Sequence, residues 1–192
     1  MSDECLERIV QELAERIGEG DMKKLLVVVD MQNDFVDGSL GTKEAKEIVA
    51  NVVDKIKDAR EEETDIIFTR DTHQENYLST REGRKLPVVH CIEGTHGWEI
   101  VGALKPYVTK VLDKPTFGST VLAHFASRRE YTDIELVGLC TDICVISNAL
   151  LLKAALPEAN ISVDASCCAG VTPESHEAAL TTMQMCQIEI LR

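Results

Sequence analysis

Leu25-Leu26-Val27-Val28-Val29-Asp30-Met31-Gln32-Asn33-Asp34-Phe35 sets five consecutive aliphatic residues directly in front of a carboxylate. A run this short, β-branched at its centre and apolar at every position, reads as a strand buried on both faces, as in a parallel sheet covered by helices. Working outward, similar runs recur at Ile66–Thr69, Lys110–Leu112, Ile134–Val137, Ile161–Val163 and Ile188–Leu191. Between them lie amphipathic stretches at helical spacing: Lys43–Glu62, Ser119–Ser127, Asp142–Leu156 and Pro173–Met185. The last begins with Thr172 as cap and Pro173 in the first turn, both good start signals. Strand-helix alternation of this kind implies right-handed crossovers and one three-layer α/β domain, a parallel sheet with helices on both faces. The longest stretch outside the alternation is about Asp71–Lys105, and loops of that length in a compact domain usually carry function.

Ahead of this pattern, Cys5, Leu6, Ile9, Val10, Leu13 and Ile17 recur at helical spacing between Ser2-Asp3 and the stop signals Gly18 and Gly20. Residues 1–20 are therefore expected to form an N-terminal extension helix, packed on the domain or used as a subunit contact, and residues 21–192 the domain itself. At 192 residues the chain buries a full core without staples. Its net charge of −13 disfavours nucleic acid and anionic membranes as partners. No apolar run is long enough to span a bilayer and no signal-peptide pattern opens the chain, so a cytoplasmic location is expected. Seven cysteines, an odd number with no Cys-x-x-Cys, fit a reducing compartment, and the vicinal Cys167-Cys168 reads as packing.

The ends of parallel strands face one crevice, so residues distant in sequence can meet there. Asp30 ends the first strand, Lys114 follows the third, and Gly138-Leu139-Cys140-Thr141-Asp142-Ile143-Cys144 joins the fourth to a helix. If Thr141 caps that helix, Cys144 lies in its first turn, where unpaired backbone N–H groups stabilise a thiolate or an oxyanion. Taken singly, each residue has a plainer use: Cys144 in packing, Asp30 as a loop cap, Lys114 as surface charge. Asp71-Thr72-His73 follows the second strand, and alternation sets Asp71 and His73 on one side, where a returning loop can bring His90. Cys91 competes as a nucleophile but lacks a strand-to-helix turn, while His124 and His176 fall in helical patterns and read as structural or surface residues.

Together these segments resemble the isochorismatase-like cysteine hydrolases, the superfamily of nicotinamidases and N-carbamoyl amidases, over about Leu25 to Leu191. The resemblance implies a six-stranded parallel sheet and Asp30, Lys114 and Cys144 as catalytic triad. It also implies a cis peptide between Leu139 and Cys140, and an oxyanion hole made by the Cys140 and Cys144 amides. The implied reaction cleaves a small carboxamide to acid and ammonia through a thioester. Isochorismatases proper lack this nucleophile, so Cys144 points away from that branch. Nicotinamidases bind a divalent metal through an Asp-x-His and a distant His, which by resemblance assigns Asp71, His73 and His90, with Glu82 as a further carboxylate where the alignment needs a gap. Zinc suits such a donor set, with iron or manganese as alternatives.

The chain departs from nicotinamidases at ring positions: Thr72 stands between the metal Asp and His, and Leu86-Pro87 precedes His90. Phe35 and Phe117, with Trp98 beside them, are the expected pocket aromatics. Those departures keep a metal-independent N-carbamoyl or ureido amidase as the alternative, and a noncatalytic interaction protein as a third reading. The expected partner is a small amide substrate, and a homo-oligomer is expected by analogy alone.

Overall fold

The computed structural model describes residues 24–192; the helix expected within residues 1–20 lies outside the described residues. The strands are β1 (Lys24–Val29), β2 (Asp65–Asp71), β3 (Val111–Lys114), β4 (Asp133–Leu139), β5 (Asn160–Ala169) and β6 (Glu189–Leu191). They form one six-stranded sheet in the order β3-β2-β1-β4-β5-β6, parallel throughout. The helices are α1 (Asn33–Val36), α2 (Lys43–Glu47), α3 (Val49–Glu61), α4 (Arg81–Lys85), α5 (Thr120–Arg129), α6 (Ile146–Ala155) and α7 (Pro173–Met185).

The strands β1 to β5 divide their side chains between two cores, as alternation requires. On one face Leu25, Val27 and Val29 pack with Leu122, Phe125, Ala149, Leu152 and Leu180 from α5, α6 and α7. On the other, Leu26 and Val28 pack with Ala45, Val52 and Ile56 from α2 and α3, and with Ile100 and Leu104 from the long loop. Val27, Val28 and Val29 are fully buried, each contributing roughly 1.5–3 kcal/mol relative to an exposed side chain.

Three expectations are corrected. The single helix over Lys43–Glu62 is interrupted at Ile48, whose backbone N–H turns to both Glu44 and Lys46, although Ala45, Ile48, Val52 and Ile56 keep helical spacing across the interruption and are all buried. Asp71 and Lys114 do not follow their strands but end them, because parallel pairing continues through Asp71↔Lys114. Thr141 is not a helix cap: it lies inside a π-helical turn, Thr141–Val145, for which Cys140 is the flanking residue. The peptide between Leu139 and Cys140 is cis.

The sequence of strands reverses direction across the sheet between β1 and β4, and the crevice outside their carboxyl ends is where open α/β sheets place ligands. Gly138 makes this junction: it has φ of +114°, and a Cβ there would lie 2.1 Å from the Val29 carbonyl oxygen of the paired strand. Gly138→Ala is expected to lower unfolding free energy by about 3 kcal/mol or more, since backbone on a paired strand has no room to yield. Denaturant unfolding of the variant checks this, and unchanged stability refutes the close approach.

Candidate active site

The ends of β1, β3 and β4 bring Asp30, Lys114 and Cys144 together. Lys114 Nζ lies 2.6 Å from Asp30 Oδ2, 3.4 Å from Cys144 Sγ and 3.4 Å from Asp71 Oδ1. All are at most a few per cent exposed: Asp30 0%, Lys114 1%, Asp71 1%, Cys144 3%. Burial alone would lower the Lys114 pKa, but the charges of Asp30, Cys144 and Asp71 outweigh it and hold the ammonium above the usual lysine value. Burial raises the Asp30 carboxyl, with Lys114 working against it. Burial, reinforced by Asp30, pushes the Cys144 thiol well above its ordinary value, so the resting sulphur keeps its proton.

Asp30 has a left-handed backbone, φ 46°, which takes it out of β1 and toward the crevice. Its other carboxylate oxygen accepts from the Thr69 hydroxyl at 2.7 Å, so the orientation of both oxygens is fixed. Cys144 sits on the π-helical turn after β4. Asn148, one turn further on, is fully buried and donates to the Cys144 carbonyl at 2.8 Å while accepting the Ser119 amide at 2.9 Å. It also donates to the Phe117 carbonyl at 3.2 Å, tying the loop after Lys114 to the cysteine turn.

Beside this trio, one donor atom from each of Asp71, His73, Glu82 and His90 converges, all within 4.8 Å of one another. His73 Nε2 is 3.0 Å from Asp71 Oδ2 and 3.3 Å from Glu82 Oε1, while His90 Nε2 stands 3.7 and 3.9 Å from the same two oxygens. His73 Nε2 and Glu82 Oε1 are buried yet make no hydrogen bond. Orphaned buried groups of this kind call for a partner. His90 Nδ1 is 2.8 Å from the Val88 carbonyl, a contact that places its proton on Nδ1 and frees Nε2 as a ligand. Two imidazoles and two carboxylates with inward lone pairs fit a divalent cation of the zinc, iron or manganese type. Burial opposes ionisation of Asp71, but His73, His90 and Lys114 outweigh it and hold its carboxyl below the usual carboxylate range.

The structure therefore brings Glu82 into the cluster on α4, where the sequence could assign it only by resemblance across a gap. Tyr77 was missed: its ring packs on both His73 and His90, at centroid distances of 4.6 and 4.9 Å, and its hydroxyl donates to the Leu86 carbonyl. Gln32 was missed as well. Its side-chain amide pairs with Asp71 in both directions, accepting the Asp71 N–H at 2.7 Å and donating to the Asp71 carbonyl at 2.8 Å. Polar residues inside otherwise apolar runs, such as Thr69 after Ile66-Ile67-Phe68 and Asn148 on the buried side of α6, were the available signals.

A cavity of about 160 Å³ opens onto both constellations. Phe35, Leu40, Ala45, Leu86, Phe117, Leu139, Ile143 and Val171 form its apolar wall, and Asp71, Glu82, His90, Cys140 and Cys144 its reactive one. Phe35 and Phe117 thus line the pocket. Trp98 does not: its ring stacks under the Arg70 guanidinium at 3.3 Å and its indole N–H donates to Thr72, fastening the long loop to the end of β2. Cys91 is fully buried outside the cavity, with its backbone amide bonded to Asp34.

A family model described as the isochorismatase domain matches residues 24–192. The fold superposes on the pyrazinamidase of Pyrococcus horikoshii in complex with zinc, with a TM-score of 0.76, 28% identity and coverage of 88% of this chain and 99% of the other. It superposes similarly on nicotinamidase PncA from Bacillus subtilis, with a TM-score of 0.77, 28% identity and coverage of 89% and 100%. A probable inactive nicotinamidase of Arabidopsis thaliana is 30% identical over 177 residues, 83% of this chain and 87% of the relative.

Asn148 yields a prediction independent of any reaction. Asn148→Ala strips partners from the buried Ser119 amide and Cys144 carbonyl, at a cost of about 1–3 kcal/mol for each group left unsatisfied. Thermal or denaturant unfolding is expected to show that loss, and a variant as stable as the parent would mean water replaces the amide.

Proposed function

The chain belongs to the isochorismatase family, and from that premise we propose that it is a cysteine-dependent amidohydrolase of the nicotinamidase type, converting a small carboxamide to the acid and ammonia. The observation that carries this reading is the meeting of a buried acid, ammonium and thiol, Asp30, Lys114 and Cys144, of which Cys144 lines a small, mostly apolar cavity. The relatives named nicotinamidase and pyrazinamidase support the reaction class.

In this reading Asp30 takes the Cys144 proton as sulphur attacks the carboxamide carbon. Lys114, in contact with both partners, holds the carboxylate and sulphur in line and offsets the charge that passes between them. The Cys140 and Cys144 backbone amides serve as donors to the oxyanion. Ammonia departs with the proton held by Asp30, leaving a thioester on Cys144; Asp30 then deprotonates water, whose attack releases the acid and the thiol. Asp71, His73, Glu82 and His90 would hold a divalent cation, zinc by preference, which when bound supplies a Lewis acid for a substrate heteroatom such as a pyridine nitrogen.

The cavity favours this branch over N-carbamoyl amino acids. Those substrates carry a carboxylate, and among the lining residues there is no lysine or arginine to pair with it. A neutral amide needs no such partner. The inactive plant relative motivates the noncatalytic reading, but this chain retains all three members of the trio.

Ammonia release from nicotinamide by the purified protein tests the proposal. Cys144→Ala is expected to abolish release while the protein stays folded, and Asp30→Asn and Lys114→Ala to reduce it by roughly 10²–10⁴-fold. Folded variants with undiminished release would reject the trio. Stripping divalent cations with a chelator is expected to lower turnover and added zinc to restore it; activity indifferent to both would remove the metal from the reading.

A further inference from the structure

The turn that carries Cys144 is held from behind by two side-chain bonds. Thr141, fully buried, places its hydroxyl oxygen 2.8 Å from Nδ1 of His176 on α7. Asp142 accepts the Val171 backbone amide on both carboxylate oxygens, at 3.1 and 3.2 Å. Val171 and its neighbour Gly170 line the cavity, and Gly170 approaches α7 so closely that a Cβ there would lie 2.9 Å from the Cβ of His176. The half-buried His176 thus touches the cysteine turn on one side and the segment after β5 on the other, while standing outside the cavity itself.

We propose that His176 is a positioning residue for the amide hydrolysis described above. Through Thr141 it fixes the Cys140–Cys144 turn, and with it the alignment of the Cys144 sulphur and the Cys140 and Cys144 amides against Asp30 and Lys114. The inference rests on that reading of function. The turn needs outside support because it is five residues long, has no side-chain cap of its own and must set a sulphur and two N–H groups at once. A misplacement of about 1 Å at a reacting centre can cost on the order of 10²-fold in rate. Asp142, Glu177 and Arg192 are the charged groups around the imidazole, and burial keeps its pKa below the ordinary histidine value, so the ring is neutral at pH 7 and can either donate to or accept from the Thr141 hydroxyl.

Two variants separate alignment from simple packing. His176→Phe keeps a ring of similar bulk but offers Thr141 no atom; His176→Asn keeps an amide atom where Nδ1 stood. With nicotinamide as substrate, His176→Phe is expected to lose about tenfold or more in kcat, with KM changed less than about twofold, since alignment is lost and the pocket wall is not. His176→Asn is expected to return to within about threefold of the parent kcat. Thr141→Val removes the same bond from its other end and must reproduce the kcat loss, which keeps the test open if His176→Phe does not fold. Undiminished kcat in His176→Phe or Thr141→Val, or His176→Asn as impaired as His176→Phe, overturns the proposal. If the parent releases no ammonia, the functional reading has failed, and positioning is decided by iodoacetamide alkylation of Cys144 followed by site-resolved mass spectrometry. A change of about threefold or more in His176→Phe, reversed in His176→Asn, supports alignment; equal rates in all three proteins refute it.

Discussion

One ammonium group sits at the centre of this molecule's chemistry. Lys114 is buried to 1% exposure with two carboxylates and a thiol around it. Removing such a charge from water costs several kcal/mol, recovered only if its partners are close and well oriented, and deleting one partner of a buried pair commonly costs 3–5 kcal/mol. The ends of β1, β2, β3 and β4 supply all of those partners or their supports, so the sheet must be built correctly for the charge to be tolerable at all. Strand register and site geometry are one constraint.

Parallel pairing converts that constraint into fold. Asp71 pairs with Lys114 in the last rung between β2 and β3, and Val29, just before Asp30, pairs with Gly138 just before the cysteine turn. A one-residue slip would turn each side chain to the opposite face of the sheet. Secondary supports then lock what register delivers: Thr69 on Asp30, Gln32 on the Asp71 backbone, Asn148 on the Cys144 turn. Each is a neutral hydrogen-bonding group, able to orient without adding charge to a crowded interior.

Much of this was legible in the chain. Six apolar runs marked where the strands lie, most clearly at β1, which is buried on both faces, and Thr172-Pro173 marked the start of α7 correctly; β5 was read as Ile161–Val163 but continues to Ala169, because Asp164 and Ser166 interrupt its apolar pattern. Strand ends were read short at Asp71 and Lys114, since polar residues there look like loop until their mutual pairing is known. The break at Ile48 was invisible because apolar spacing continues through it. Glu82 lay out of reach of spacing arguments: nothing local brings α4 back to β2, and only the course of the long loop, pinned by Trp98 on Arg70 and by the bridge between His73 and Ile92, does so. Thr141 was misread as a cap because a π-helical turn shares the sequence signs of an α-helical start.

Asp71 is shared between two constellations. One of its oxygens faces Lys114 and the other faces His73 and His90, so a single carboxylate belongs to the ion-paired trio and to the four-donor cluster at once. Residues sharing a partner do not contribute additively. A substitution at His73 or Glu82 therefore changes the background against which one at Lys114 acts, and the order in which a lineage accumulates such changes matters. Loss of either site leaves Asp71 as a buried carboxylate that the other alone must accommodate.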